Sequence, residues 1–173
     1  PLLLADAGFM YVAKMSGMAA AYDLFTPDLG ELAFLADDQA PHPFYTRGFL
    51  LQQEDRVPEL IARAYEHHNA ARYLLVKGRC DYLATAGHIL ATVSEPQTEA
   101  LEAIGGTGDT LTGLAAALAE AGQPISQAAL LSAQANRWAG KLACPTPASP
   151  ISQLLPLIPR ALEIVLPREA SHV

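Results

Sequence analysis

Cysteine is scarce in this sequence, and its two cysteines predict neither a disulfide nor a metal site. Cys80 and Cys144 have no C-x-x-C spacing and no histidine pattern beside them. We therefore expect reduced thiols in a cytosolic protein. His, Cys and Asp residues nowhere cluster with the spacing of a zinc site. His67 and His68 close a predicted helix and His42 lies in a proline-flanked loop, so we interpret all three histidines as structural.

Positive charge and long apolar runs are also in short supply. The chain has 11 Lys and Arg against 18 Asp and Glu, a net charge of −7. This balance disfavours nucleic acid and anionic membrane surfaces as partners. No apolar run reaches the length of a membrane span. With 51% hydrophobic and 17% charged residues among 173, the composition predicts a single globular domain with a sizeable core.

The most informative stretch is the glycine-rich segment 104–113, which reads IGGTGDTLTG. Gly105, Gly106 and Gly108 predict a turn, and an apolar helical repeat follows them. A glycine turn that opens a helix presents free backbone N–H groups and the positive end of the helix dipole, so it predicts an anion site. Asp109 would face that anion from the first helical turn. A carboxylate placed there can take a proton from a hydroxyl that attacks phosphorus.

The same segment also suits a purely structural role. Asp in a first helical turn is a common cap, and glycine clusters are common turns. The segment is not a Walker A loop, because no Lys-Ser/Thr pair follows the glycines. It is not G-x-G-x-x-G either, because Leu111 stands where the third glycine would be. On these residues alone, both interpretations stay open.

Strands and helices alternate over the first two-thirds of the chain. We predict strands at 2–6, 22–26 and 72–77, a hairpin of 81–85 and 88–93, and helices at 8–20, 28–36 and 56–68, with a connection over 37–55. This alternation indicates an α/β fold with a parallel sheet and crossover helices. In the last third we predict one helix after Gly108, one from Ser126 to Ala143, and one that Pro156 and Pro159 kink or fray.

The glycine segment resembles a family signature. Its residues 105–113 look like the G-G-S/T-G-D-x-L-x-G motif of ribokinase-like enzymes, and within that group the chain is most similar to the ADP/ATP-dependent NAD(P)H-hydrate dehydratases. Four further segments agree in the expected order, namely LLADA at 3–7, TPDLGE at 26–31, LLVKG at 74–78 and AQANRWAG at 133–140. Three positions depart from the family pattern, where Leu4 replaces an aspartate and Asp28 and Asn136 replace histidines. The resemblance spans residues 2–143.

This resemblance implies an α/β ribokinase-like domain over 1–173, with a largely parallel sheet and flanking helices. It also implies ATP or ADP as the phosphate donor, together with Mg²⁺. Asp109 is implied as the catalytic base. The residues implied to bind the nucleotide or its phosphates are Gly105, Gly106, Thr107, Gly108, Lys77 and Asn136. Asp6 and Glu31 are implied in the network of substrate and Mg²⁺, with Glu31 reaching the metal through water.

The function that the resemblance implies is nucleotide-dependent phosphoryl transfer. In the family this serves metabolite repair, since the hydroxyl of hydrated NADH or NADPH is phosphorylated and the phosphate is then eliminated. A small-molecule kinase for a sugar or a vitamin precursor is an open alternative. So is a degenerate domain that binds nucleotide without catalysis, because segment 95–103 brings Glu95, Glu99 and Glu102 and no glycine. Near a phosphate site those charges would oppose nucleotide binding unless they point away.

In the resembled family, further sequence precedes the strand that we predict at 2–6. We therefore expect the chain to be the carboxyl-terminal part of that domain, with this strand as an exposed sheet edge. An apolar edge with unpaired backbone groups is a template for association. We accordingly expect a homo-oligomer, or pairing with an amino-terminal part, alongside a small-molecule substrate.

Overall fold

A computed structural model of the protein describes residues 1–40 and 54–166. The predicted role of His42, and most of the predicted connection, lie outside the described residues. The strands are β1 (Leu4–Ala5), β2 (Leu24–Phe25), β3 (Tyr73–Val76), β4 (Asp81–Thr85) and β5 (His88–Val93). The α-helices are α1 (Ala7–Met15), α2 (Leu29–Ala36), α3 (Val57–Glu66), α4 (Thr107–Glu120), α5 (Ile125–Ala143) and α6 (Ile158–Val165). None of these helices is long and apolar enough to cross a membrane.

The strands form one mixed sheet in the order β1-β2-β3-β4-β5. β1, β2 and β3 pair in parallel, whereas β3, β4 and β5 pair antiparallel. The predicted α/β fold with crossover helices is therefore confirmed, and the hairpin has the bounds that its sequence predicted. Within the described part of the chain, β1 forms one edge of the sheet and β5 the other. The association that we expect at the β1 edge stays a prediction.

Helices cover both faces of the sheet. Leu24 and Phe25 are neighbours in β2, but they point to opposite faces because side chains alternate along a strand. Phe25 packs with α1, α2 and α3, around Leu32 and Ile61. Leu24 packs with α4 and α5, beside Leu75 of β3. Because both faces are buried, the parallel strands read as continuous apolar runs rather than as alternating patterns.

Two helices differ from their predicted form for local reasons. α1 ends before residue 20, because Gly17 adopts a positive φ of 69° and the chain turns there. The helix that we predicted to be kinked or frayed at Pro156 and Pro159 is interrupted at its start, because residues 151–157 form 3₁₀ turns and α6 begins only at Ile158. Each proline is the second residue of its segment, Pro156 in a 3₁₀ turn and Pro159 in α6. In a first turn the missing N–H of proline has no helical partner to lose.

A close contact holds α5 against the 3₁₀ turn Glu99–Ala103. A Cβ atom built on Gly140 of α5 would lie only 2.5 Å from Leu101 Cδ1. Glycine therefore lets the helix approach this turn more closely than any other residue would. The contact matters for the site described below, because Leu101 also lines the cleft there.

We predict that Gly140→Ala destabilises the protein by about 1–3 kcal/mol through overpacking, although alanine is the better helix former. Gly113→Ala in α4 is the matched control, because a Cβ atom there meets nothing within 4 Å. The control should be neutral or stabilising by up to about 1 kcal/mol. Urea denaturation of the two variants measures both effects. Equal stability of Gly140→Ala and the wild type would contradict the prediction.

Candidate functional site

A cleft of about 950 Å³ opens at the carboxyl end of β3. The chain that leaves β3, residues 76–82, and residues of segment 97–102 line it. The start of α2 at residues 28–30, Val57, the amino-terminal part of α4 and the middle of α5 also contribute to the lining. In α/β sheets, ligands bind outside the carboxyl ends of the parallel strands. The cleft therefore occupies the expected place for a ligand.

The glycine turn forms the amino end of α4, as its sequence predicted. Gly106 precedes the helix with a φ of 94°, a left-handed conformation that glycine adopts without strain. Thr110 donates the first helical hydrogen bond to the Gly106 carbonyl, at 2.9 Å. The N–H groups of Thr107, Gly108 and Asp109 precede that bond and are available to an anion. The helix begins at Thr107, so Gly108 lies inside it rather than before it.

A polar network joins three strand ends to this helix. Lys77 Nζ donates to Asp6 Oδ1 at 2.7 Å, and Thr112 Oγ1 donates to Asp6 Oδ2 at 3.2 Å. The Thr112 and Thr26 hydroxyls lie 2.7 Å apart. A Cβ atom on Gly108 would lie 3.0 Å from Lys77 Nζ and 3.7 Å from Asp6 Oδ2. The structure thus brings together three of the predicted site residues, Asp6, Lys77 and Gly108, and adds two threonines that sequence reasoning missed.

Glu31 lies near this network, in the first turn of α2. Its Oε2 accepts from the Asp28 N–H and its N–H donates to Asp28 Oδ1, both at 2.7 Å, which forms a capping box. Tyr11 donates its hydroxyl to Glu31 Oε1 at 3.3 Å. Burial raises the pKa of Glu31, and the Asp28 carboxylate raises it further, although the Asp28 N–H acts in the opposite direction. A cation near Glu31 would relieve this excess of negative charge.

The donor set restricts how a metal could bind. Within residues 1–40 and 54–166, no three His, Cys, Asp or Glu side chains converge on a metal position. Mg²⁺ keeps several of its waters and accepts one or two protein carboxylates. Glu31, with both oxygens already hydrogen-bonded, fits a contact through water rather than direct ligation. This agrees with the contact that the resemblance implies, whereas occupancy by Mg²⁺ stays a prediction.

Asn136 has an unsatisfied polar atom at the cleft. This residue of α5 lines the cleft and is only 9% exposed. Its Oδ1 is buried and has no hydrogen-bond partner among the described residues. A buried acceptor without a partner costs about 1–3 kcal/mol. A ligand that donates a hydrogen bond would recover this cost, so Asn136 is a candidate contact.

Asp109 is placed differently from the other predicted site residues. It lies in the first turn of α4, as predicted, but its side chain is exposed and does not line the described cleft. Gly105 is also exposed, just before the helix. Glu99 and Glu102 do line the cleft, so two of the three glutamates noted in the sequence would lie near a ligand bound there. The roles of these residues stay predictions.

Three charged residues of the cleft wall escaped sequence reasoning. Arg137 is buried and pairs with the buried Asp81 at 2.7 Å, and both line the cleft. Arg79 also lines the cleft and is exposed. The sequence did contain a signal for Arg137, because it follows Asn136 in an alanine-rich helix. A charged residue that is buried in such a helix requires a partner of opposite charge. Its partner follows β3 by only a few residues, but nothing in the sequence pairs the two.

The fold and the glycine turn define a ribokinase-like α/β protein. The profile of the NAD(P)H-hydrate dehydratase family, a carbohydrate kinase family, matches residues 1–159. An uncharacterized protein of Methanocaldococcus jannaschii is 42% identical over 167 residues, which cover 96% of this chain and 72% of the relative. The chain therefore belongs to the NAD(P)H-hydrate dehydratase family, which depends on ATP or ADP.

We predict that Gly108→Val abolishes nucleotide binding, because the added side chain would displace the Lys77 ammonium and cover the free N–H groups of the helix. Calorimetric titration with ADP and with ATP measures the loss. Gly113→Val is the matched control, since it adds the same side chain to the same helix in open space. Circular dichroism should show similar helix content in both variants. Normal nucleotide affinity of Gly108→Val would place the anion site elsewhere.

Proposed function

We propose that the protein is an enzyme that uses ATP or ADP to dehydrate hydrated NADH or NADPH. One observation carries this proposal. The Lys77 ammonium lies 3.0 Å from the position of a Cβ atom on Gly108, so a cation meets the amino end of a helix at the mouth of a cleft. A fixed cation beside free N–H groups and a helix dipole suits a phosphoryl group. Membership of the NAD(P)H-hydrate dehydratase family supports the specific substrate.

The phosphoryl group would bind at the glycine turn. The free N–H groups of the first helical turn, those of Thr107 and Gly108 above all, would hold its oxygens together with the N–H of Gly106 before the helix. Gly105 would let the backbone approach the phosphoryl group closely. Preorganised donors of this kind contribute roughly 3–4 kcal/mol each to a transition state. Lys77 would balance the charge of the neighbouring phosphates.

Gly108 and Asp109 present different environments on the first turn of α4, which suits an in-line transfer of the phosphoryl group from nucleotide to substrate. Gly108 faces the cleft, where the nucleotide would lie, and Asp109 is exposed beside it. The hydroxyl of the hydrate would then approach from the Asp109 side. As its oxygen bonds to the terminal phosphorus, Asp109 takes the hydroxyl proton, and the bond to the departing nucleotide breaks. The carbon–oxygen bond of the phosphate ester breaks next, the neighbouring carbon loses a proton, and inorganic phosphate and NAD(P)H are released.

Asp6 and Glu31 would serve the charged groups around this reaction. Asp6 holds Lys77 and Thr112 in place and lies at the end of β1, where the substrate would enter. Glu31 would hold Mg²⁺ through water. The ion supplies positive charge that neutralises the phosphates when it is bound.

Two other functions use the same phosphate site. A small-molecule kinase would release its phosphorylated product rather than eliminate phosphate. A degenerate, non-catalytic domain is favoured by Glu99 and Glu102, because their carboxylates line the cleft and repel a polyphosphate. We favour an enzyme over the degenerate domain because Lys77 and Arg79 also line the cleft and supply cations. We favour the dehydratase over the kinase because of the family to which the chain belongs.

One assay separates these functions. The protein is incubated with ADP or ATP and hydrated NADH, and both NADH absorbance and inorganic phosphate are followed. The dehydratase releases equal amounts of both. Phosphorylated hydrate without NADH, or transfer of phosphate to a sugar or a vitamin precursor, would indicate a kinase. Nucleotide binding with no turnover on hydrated NADH, hydrated NADPH or sugars would indicate the degenerate domain.

We predict that Asp109→Asn lowers turnover at least about 100-fold, the usual scale for loss of a general base. Nucleotide affinity should stay near normal, because the backbone N–H groups remain. Glu120→Gln, an exposed carboxylate at the other end of α4, controls for loss of a charge on this helix. Turnover of Asp109→Asn at the level of this control would rule out Asp109 as the base.

We predict that Asn136 recognises the amino group of the adenine base. Inosine diphosphate carries a carbonyl oxygen in place of that amino group, so it should bind about tenfold more weakly than ADP, since an unpaired buried acceptor is costly. Asn136→Leu should remove this preference, whereas Gln127→Leu, an exposed site on the same helix, should keep it. Calorimetry measures all three proteins. Equal affinities in the wild type, or tighter binding of inosine diphosphate, would contradict the assignment.

A further inference from the structure

Arg137 of α5, a residue that is only 8% exposed, bonds through its guanidinium group to two other segments of the chain. Its Nε donates to Asp81 Oδ2 at 2.7 Å. Its Nη2 donates to the carbonyl oxygens of Gly78 at 2.8 Å and Arg79 at 3.0 Å. Its Nη1 donates to the Ser94 carbonyl at 3.2 Å. One side chain of α5 therefore fixes both the chain that leaves β3 and the chain that leaves β5.

Asp81 completes this arrangement from the other side of the turn. Its Oδ1 accepts the Gly78 N–H at 3.1 Å, while its Oδ2 accepts from Arg137. The pair thus holds both main-chain polar groups of Gly78. Gly78 directly follows Lys77, whose own N–H donates to the Pro27 carbonyl at 2.7 Å. The position of the Lys77 backbone is therefore fixed on both sides.

Stability alone does not account for a buried ion pair. Removing two charges from water costs several kcal/mol for each ion, and apolar residues of similar volume often serve the stability of a fold equally well. What the pair adds is geometry. The planar guanidinium fork holds several acceptors in fixed directions, which a lysine ammonium does not do. The acceptors held here are carbonyl groups of the turn that carries the cations Lys77 and Arg79.

We propose that Arg137 and Asp81 are positioning residues for the phosphate end of the nucleotide. They hold the turn 77–80 so that the side chains of Lys77 and Arg79 face the phosphates. This inference rests on the proposed function, because it assumes a nucleotide in the cleft. It assigns a task to two residues that do not themselves contact the phosphates.

The test compares two ligands that differ only in their phosphates. Calorimetry with ADP and NMR titration with adenosine are carried out on the wild type and on Arg137→Lys, which keeps the charge but loses the fork. ADP affinity should fall about tenfold or more, while adenosine affinity stays within about twofold, a difference near 1.4 kcal/mol. Arg160→Lys is the matched control, because Arg160 forms an exposed pair with Glu163, and it should change neither affinity.

The other possible results contradict the inference, and they also show whether the proposed function fails with it. Equal losses for ADP and adenosine would mean that Arg137 only maintains the fold of the cleft, and the inference would be wrong. Unchanged ADP affinity would also overturn it, while leaving the proposed function intact. A wild type that binds neither ligand would overturn both. If Arg137→Lys does not fold, Asp81→Asn is read by the same criteria, because asparagine keeps an acceptor for the Gly78 N–H and loses the charge that orients Arg137.

Discussion

The ion pair between Asp6 and Lys77 is the interaction around which the candidate site is arranged. It links the end of β1 to the end of β3, across the fully buried Thr26 at the end of β2. Both side chains are mostly buried, at 14% and 18% exposed. A pair with little water around it has a stronger mutual attraction than one at the surface, so the ammonium has a fixed place beside Gly108. The amino end of α4 then needs no side chain of its own to attract an anion.

A second ion pair, between Asp81 and Arg137, fixes the backbone of the cleft. Asp81 and Arg137 neutralise each other inside the wall, so they add little net charge to the cleft, but they determine the path of the chain that carries Lys77 and Arg79. Glu99 and Glu102 line the same cleft. The cleft therefore carries charges of both signs, and the cations Lys77 and Arg79 attract the anionic end of a ligand whereas the two glutamates repel it.

Local features were predicted well from the sequence. The glycine turn, the helix after it and the bounds of the hairpin depend on backbone preferences over a few residues, and glycine at position 106 adopts the positive φ that such a turn needs. The family signature implied Asp6, Lys77 and Gly108 as site residues, since each follows a strand or opens a helix, but it did not predict the ion pair between Asp6 and Lys77. The role of Asp109 could be proposed from its position, but its exposure outside the cleft could not.

The sequence by itself determined the α/β class, the family and the glycine turn that opens α4, because hydrophobic periodicity and a glycine motif are properties of consecutive residues. Only the tertiary structure decided which polar side chains meet. Thr112 reaches Asp6 across 106 residues and Arg137 reaches Asp81 across 56, and no local pattern encodes either contact. Likewise, the Asn136 Oδ1 atom is buried without a hydrogen-bond partner only after α5 has packed against the sheet. A polar side chain needs a hydrogen-bond partner only when it is buried, and the whole fold decides which side chains are buried.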